Sequence, residues 1–268
     1  MTHNIPSITL LCKEPQYIPA FNDALKTHWP SHLTTPKLSV STLPESLHTI
    51  PPSHTFDLIV SPANSYGLLD GAFDDAISRT FCVHRSLPYE MLTHAAQDVL
   101  YERFRGFAPR GSCTLVKFPR VMLENSDVGR DRGKKRGDNV WGCSWVGICP
   151  TMRVPENVVW DKEVVYECVW SLMCEVERHN RGQENFARKN KSKNKEGGGD
   201  HGMDRIDSIV MTPLATGVGK VSKERWAAQV VLALKHFVDA VERPERWGRL
   251  TWMDSGKDAM EVDKTVKY

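Results

Sequence analysis

The chain has 268 residues, is 40% hydrophobic and 25% charged, and carries a formal net charge of +2. That is a globular composition, and its near-neutral balance gives no charge-based ground for a polyanion partner. No apolar run reaches the length of a bilayer span, and the opening MTHNIPSITLLCKE lacks the basic start and long apolar core of a signal peptide. The expectation is therefore a protein of the cytoplasm or nucleus with no membrane partner.

In chain order, ITLLC (8–12) is a short apolar strand candidate. It leads into QYIPAFNDALKTHW, where Tyr17, Ile18, Phe21, Ala24, Leu25 and Trp29 follow a helical period. LSVSTL (38–43) alternates like a half-buried strand, whereas FDLIV (56–60) is a continuous apolar run suited to a sheet covered on both faces. Two helices follow, AFDDAISRTF and the segment 88–104. CTLVKF (113–118) and WVGIC (145–149) read as strands, and 163–178 as a helix. SIVMTPL (208–214) is the last strand, and 222–241 is a long helix with Ser222 as its N-cap. This alternation predicts an α/β domain with a mixed central sheet flanked by helices on both faces.

Two stretches stand outside that pattern. Residues 120–140 are polar and glycine-punctuated, and 180–205 are low in complexity and basic. Both read as loop insertions in a single domain over 1–245, followed by a C-terminal tail at 246–268. The tail, RPERWGRLTWMDSGKD onward, reads as a final strand or a packed flap. The basic run at 180–205 reads as a solvated insertion, with nucleic-acid contact the disfavoured alternative. The seven cysteines form no CxxC pair and sit mostly in apolar stretches. They read as buried thiols rather than as a disulfide framework or a zinc site. His84, His94 and His179 lack ligand-like spacing, and no metal site is expected.

In parallel α/β sheets, ligands bind where strand ends lead into helix N-termini. Two such places carry glycines: VSPANSYGLLDGAFD after the strand at 56–60, and PLATGVGKVSKE after the strand at 208–214. Neither has the phosphate-loop spacing GxxxxGK[ST] or the dinucleotide spacing GxGxxG, which leaves kinase and NTPase readings without support. Read as residues alone, Asn64 is also a turn former, Gly217 and Gly219 also turn a chain, and Asp74 and Asp75 also suit a helix start.

Taken together and in this order, the two loops resemble those of the macro domain, an ADP-ribose-binding module. Ser61-Pro62-Ala63-Asn64 stand at the N-A-A-N positions, Leu69-Asp70-Gly71-Ala72 at the glycine run, and Phe73-Asp74-Asp75-Ala76-Ile77 after it. The loop is most similar to an S-P-A-N-S-x-G-x-M-D-G-G variant seen in phage and fungal macro-domain proteins. TPLATGVG is similar to the family's second, phosphate-binding loop, and CPTMRVP to a stretch found in the same subset.

The resemblance implies ADP-ribose or a derivative as ligand and ADP-ribosylated proteins as possible partners, with no cofactor and no metal. It implies that Asn64 hydrogen-bonds the distal ribose and that Asp74 orients water at its anomeric carbon, these two being the candidate catalytic residues. Ser61, Ala63, Asn64, Gly71, Ala72 and Phe73 would form one wall of the site, and Thr216, Gly217, Val218 and Gly219 the other. The chain departs from the pattern at Ser61 and Ala72, lacks the second-loop aromatic, and has STLPESL, with Glu45, where the adenine-binding aspartate usually stands. Three activities follow as alternatives: hydrolysis at the distal C1″ position, ADP-ribose binding without turnover, or a scaffold that contacts nucleic acid through 180–205. The hydrolytic substrates would be an ADP-ribosylated acidic side chain, ADP-ribose 1″-phosphate or O-acetyl-ADP-ribose.

Overall fold

The structure, a computed structural model, describes residues 5–123, 139–193 and 204–268. The described residues form six strands: β1 (Ser7–Leu11), β2 (Val40–Leu43), β3 (Leu58–Ser61), β4 (Thr114–Lys117), β5 (Trp145–Ile148) and β6 (Ser208–Met211). They join in one sheet, ordered β2-β1-β6-β3-β5-β4. Every adjacent pair is parallel except β4 with β5. The helices are α1 (Tyr17–His28), α2 (Pro30–Thr34), α3 (Ala72–Phe81), α4 (Met91–Phe104), α5 (Arg120–Leu123), α6 (Val164–Lys193), α7 (Lys223–Glu242), α8 (Pro244–Trp247) and α9 (Trp252–Asp263).

The continuous apolar strands are continuous because both sheet faces are covered. Ile8, Leu10, Leu58, Val60, Ile209 and Met211 point to one face, in a core shared with α1, α6 and α7. Leu11, Ile59, Val146, Ile148 and Val210 point to the other, against Ile77 and Phe81 of α3 and Leu92 and Ala96 of α4. Each of these side chains other than Ala96 stabilises the fold by about 1.5–3 kcal/mol relative to exposure. The fold is thus the expected α/β arrangement, a mixed sheet between two helical layers. Ser222 caps α7, its hydroxyl accepting from the Arg225 amide.

Two expectations need correction. The 180–205 segment is not loop throughout, because α6 continues to Lys193. Its polar extension is held by specific partners: Asn180 exchanges hydrogen bonds with the Ile206 backbone at 2.8 and 2.9 Å, and Glu184 pairs with Arg205. A helix stabilised by such pairs carries no apolar period to reveal it. Within 120–140, Arg120–Leu123 form α5, and 124–138 lie outside the described residues.

The tail holds no strand; it forms α8 and α9. Pro244 starts the first, and a Thr251–Asp254 capping box starts the second. Trp247 stacks on Trp170 at 5.2 Å, Lys235 pairs with Glu261, and Gln229 donates to Thr265. Periodicity misleads here because the large apolar residues of α9 face outward, with Trp252 94% and Met253 85% exposed.

All seven cysteines are free thiols, six of them buried and Cys174 half-buried. Among the described residues, no helix is long and apolar enough to cross a membrane.

Candidate functional site

A cleft of about 590 Å³ opens over the carboxyl ends of the parallel strands. Each parallel strand supplies part of the lining. Lys13, Glu14 and Tyr17 follow β1, Glu45 and His48 follow β2, and Pro62 to Asn64, Leu68 and Asp70 to Asp74 follow β3. Thr151, Met152 and Pro155 follow β5, and Thr212, Pro213 and Ala215 to Gly219 follow β6. The antiparallel β4 contributes no lining residue, because its carboxyl end points to the other edge of the sheet.

The loop after β3 is built by local hydrogen bonds. The Asn64 side chain accepts from the Tyr66 amide at 3.0 Å and the Leu68 amide at 3.3 Å, and donates to the Leu68 carbonyl at 2.8 Å. Its oxygen is thereby committed to closing the turn, and one Nδ2 hydrogen is left for a ligand. Thr93 accepts from the Leu69 amide and Ser78 donates to the Leu69 carbonyl, so the chain reaches Gly71 on a fixed path. Gly71 is the N-cap of α3 and offers no side chain to the cap. Among the described residues, the amides of Gly71, Ala72 and Phe73 meet no protein acceptor.

Ala72 lies at φ 49°, in the left-handed region. A Cβ there costs about 1 kcal/mol, which glycine would not incur. Ala72→Gly is expected to raise Tm by about 2 °C in a thermal unfolding scan. A lower Tm would show that the alanine methyl stabilises the turn by contacts instead.

Asp74 lines the cleft at only 6% exposure, in the first turn of α3. Behind it, the fully buried Ser61 donates its hydroxyl to Asp74 Oδ1 at 2.6 Å. Burial pushes the Asp74 carboxyl up to about 7, the Ser61 hydrogen bond pulls it back, and the Asp70 charge adds a smaller push. Asp75 faces elsewhere: it pairs with Arg79 and accepts from Tyr89, which hold its carboxyl below the ordinary range.

The loop after β6 forms the opposite wall. Thr216 Oγ1 donates to the Pro213 carbonyl, the Lys220 amide to Gly217, and the Val221 amide to Ala215. Ala215 and Lys220 take left-handed φ values of 61° and 60°, which fold the segment between them into a tight turn. A Cβ on Gly219 would stand 2.4 Å from the Ala215 carbonyl oxygen, so the close approach requires glycine. Among the described residues, the amides of Thr216, Gly217, Val218 and Gly219 meet no protein acceptor. Val218 projects outward, 49% exposed.

The structure brings Ala63, Asn64, Gly71, Ala72, Phe73 and Asp74 together with Thr216, Gly217, Val218 and Gly219 in one cleft. Ser61 is not in the lining; it lies under the cleft floor as the partner of Asp74. Lys13, Glu14, Tyr17 and His48 are not marked as site residues by the sequence, and Thr151 and Met152 lie in the CPTMRVP stretch with no site role assigned to them. The rule that strand ends carry the site would have found the first three after ITLLC. Acids (Glu14, Glu45, Asp70, Asp74) outnumber lysines in the lining, so an anion held here depends chiefly on backbone amides.

No family model and no curated protein matches the chain. Among solved structures it is similar to an Oceanobacillus iheyensis macrodomain with ADP, at 17% identity, over 68% of this chain and 70% of that chain, with a TM-score of 0.40. A second structure, of an Oceanobacillus iheyensis macrodomain with MES bound, is 15% identical over 80% of this chain and 85% of that chain, at a TM-score of 0.41.

Proposed function

We propose that this chain is a macro-domain protein whose cleft binds ADP-ribose or a derivative and releases the substituent at the distal C1″ position. The observation that carries the reading is the double row of amides with no acceptor among the described residues, Gly71 to Phe73 on one wall and Thr216 to Gly219 on the other. A pyrophosphate is the ligand that such a pair of walls suits. The α3 N-terminus adds its partial positive charge, and the amides donate without the desolvation cost of a buried cation. Nucleotide recognition then falls to the two ends of the cleft. Lys13, Tyr17 and Glu45 would meet the adenosine end, and Asn64 and Asp74 the distal ribose.

In this reading the Asp74 carboxylate orients a water at C1″ and takes its proton as the C1″–O bond to the substituent breaks. The single free Nδ2 hydrogen of Asn64 donates to a ribose hydroxyl. The candidate substrates remain an ADP-ribosylated acidic side chain on a partner protein, ADP-ribose 1″-phosphate and O-acetyl-ADP-ribose. A second reading, ADP-ribose binding without turnover, is favoured by one observation: the Asn64 carboxamide has its oxygen and one of its two Nδ2 hydrogens engaged in the 64–68 turn.

Isothermal titration with ADP-ribose, AMP and ribose 5-phosphate tests the binding reading. ADP-ribose is expected to bind at least about tenfold more tightly than either fragment, a difference of about 1.4 kcal/mol, because only it spans both walls. Equal affinity for the three, or no saturable heat with ADP-ribose, would remove the basis of the proposal.

A further inference from the structure

Ser61 is the last residue of β3, and its carbonyl accepts from the Cys149 amide at 3.0 Å, which fixes the backbone on which the side chain stands. Its hydroxyl has one hydrogen, and at 2.6 Å from Asp74 Oδ1 that hydrogen goes to the carboxylate. With Oδ1 held from beneath the floor, Oδ2 is the oxygen that Asp74 has for the cleft. The pair is thus a dyad with one member sealed in the sheet and the other at the ligand. We propose that Ser61 is a positioning residue, which aims the Asp74 carboxylate into the cleft and sustains its ionised form where water cannot. This rests on the reading of Asp74 as the group that orients water.

The surroundings make the hydroxyl the decisive partner. Asp70, in the loop before α3, opposes ionisation. On α3 itself, Asp75 is neutralised by Arg79 and bonded to Tyr89. Across the cleft the charged and titratable lining groups are Lys13, Glu14, Tyr17, Glu45 and His48, and among the described residues none of them bonds to Asp74. A hydrogen bond to a charged group in a dry site favours that charge by the equivalent of about one to two pH units.

The test compares wild type, Ser61→Ala and Ser61→Thr in two readouts. The first is the titration of the Asp74 carboxyl by carbon-13 NMR, its resonance assigned with Asp74→Asn. The second is the pH profile of release from an ADP-ribosylated glutamate peptide. Ser61→Ala is expected to move the Asp74 midpoint upward by about one to two pH units, and Ser61→Thr to restore it. Release at pH 7 should fall roughly five- to fifty-fold in Ser61→Ala and recover above the new midpoint. An unchanged midpoint, or a rate loss equal at every pH, would overturn the proposal. The NMR titration needs no turnover. Failure of wild type to bind ADP-ribose would therefore refute the reading of the cleft while the midpoint still decides the dyad.

Discussion

Asp74→Asn is expected to lower release from an ADP-ribosylated peptide by about 10²–10⁴-fold, the range for loss of a general base, while ADP-ribose affinity changes little. The same substitution should make the folded protein more stable above neutral pH. The sign follows from burial. Asp74 titrates near 7 in the fold against an ordinary value of 3.8, so between those values the folded chain holds a proton that the unfolded chain has lost. Stability contributed by the protonated form is complete below about pH 4 and falls as pH rises towards 7. Asparagine has no charge to lose and still offers an oxygen to the Ser61 hydroxyl. Its advantage over wild type should be near zero at pH 4 and grow to about 2–4 kcal/mol at pH 8. Denaturant unfolding at several pH values measures this without any substrate. Parallel stability curves for the two proteins would mean that Asp74 ionises freely. A release rate within a few-fold of wild type would mean that it is not the base.

The two halves of this prediction differ in how far the sequence foresaw them. Asp74 is singled out by the resemblance of its loop to the macro-domain pattern, since position alone reads it, like Asp75, as a helix-start acid; the sheet that positions it is legible because Leu58, Ile59 and Val60 leave no polar face. Its partner is legible only in three dimensions. Ser61 sits in the S-P-A-N motif and reads as a ligand contact, yet strand alternation turns its side chain under the floor. Asn64 is the converse case, since a motif position can be filled and most of its hydrogen-bonding capacity taken up by a turn that no spacing rule announces. The extension of α6 and the helices of the tail were hidden for a related reason. Their stabilising partners, Ile206 for Asn180 and Trp170 for Trp247, are distant in sequence.

The loop after β6 supplies the other large effect, in a pair of glycines two residues apart. Gly219→Ala is expected to destabilise the protein by about 1–3 kcal/mol and to weaken ADP-ribose binding by about 10–100-fold. The added Cβ would meet the Ala215 carbonyl oxygen at 2.4 Å and Val158 at 2.9 Å. The oxygen belongs to the main chain and cannot rotate away. It accepts from the Val221 amide, while the Gly219 carbonyl accepts from Val158. The Val158 loop is anchored in turn, because the buried Arg225 donates to the carbonyls of Val159 and Asp161. Relief of the clash must therefore move the segment from Thr216 to Gly219, and with it the amides that would face the phosphates. Gly217→Ala meets nothing within 4 Å and is expected to stay within about 0.5 kcal/mol of wild type. Denaturant unfolding and ADP-ribose titration of both variants decide the matter. If Gly219→Ala folds as stably as wild type but fails to bind, the loop yields and only the ligand senses it. If it loses stability yet binds as tightly, the amides of this wall are not the phosphate contact, and the site rests on the α3 N-terminus alone.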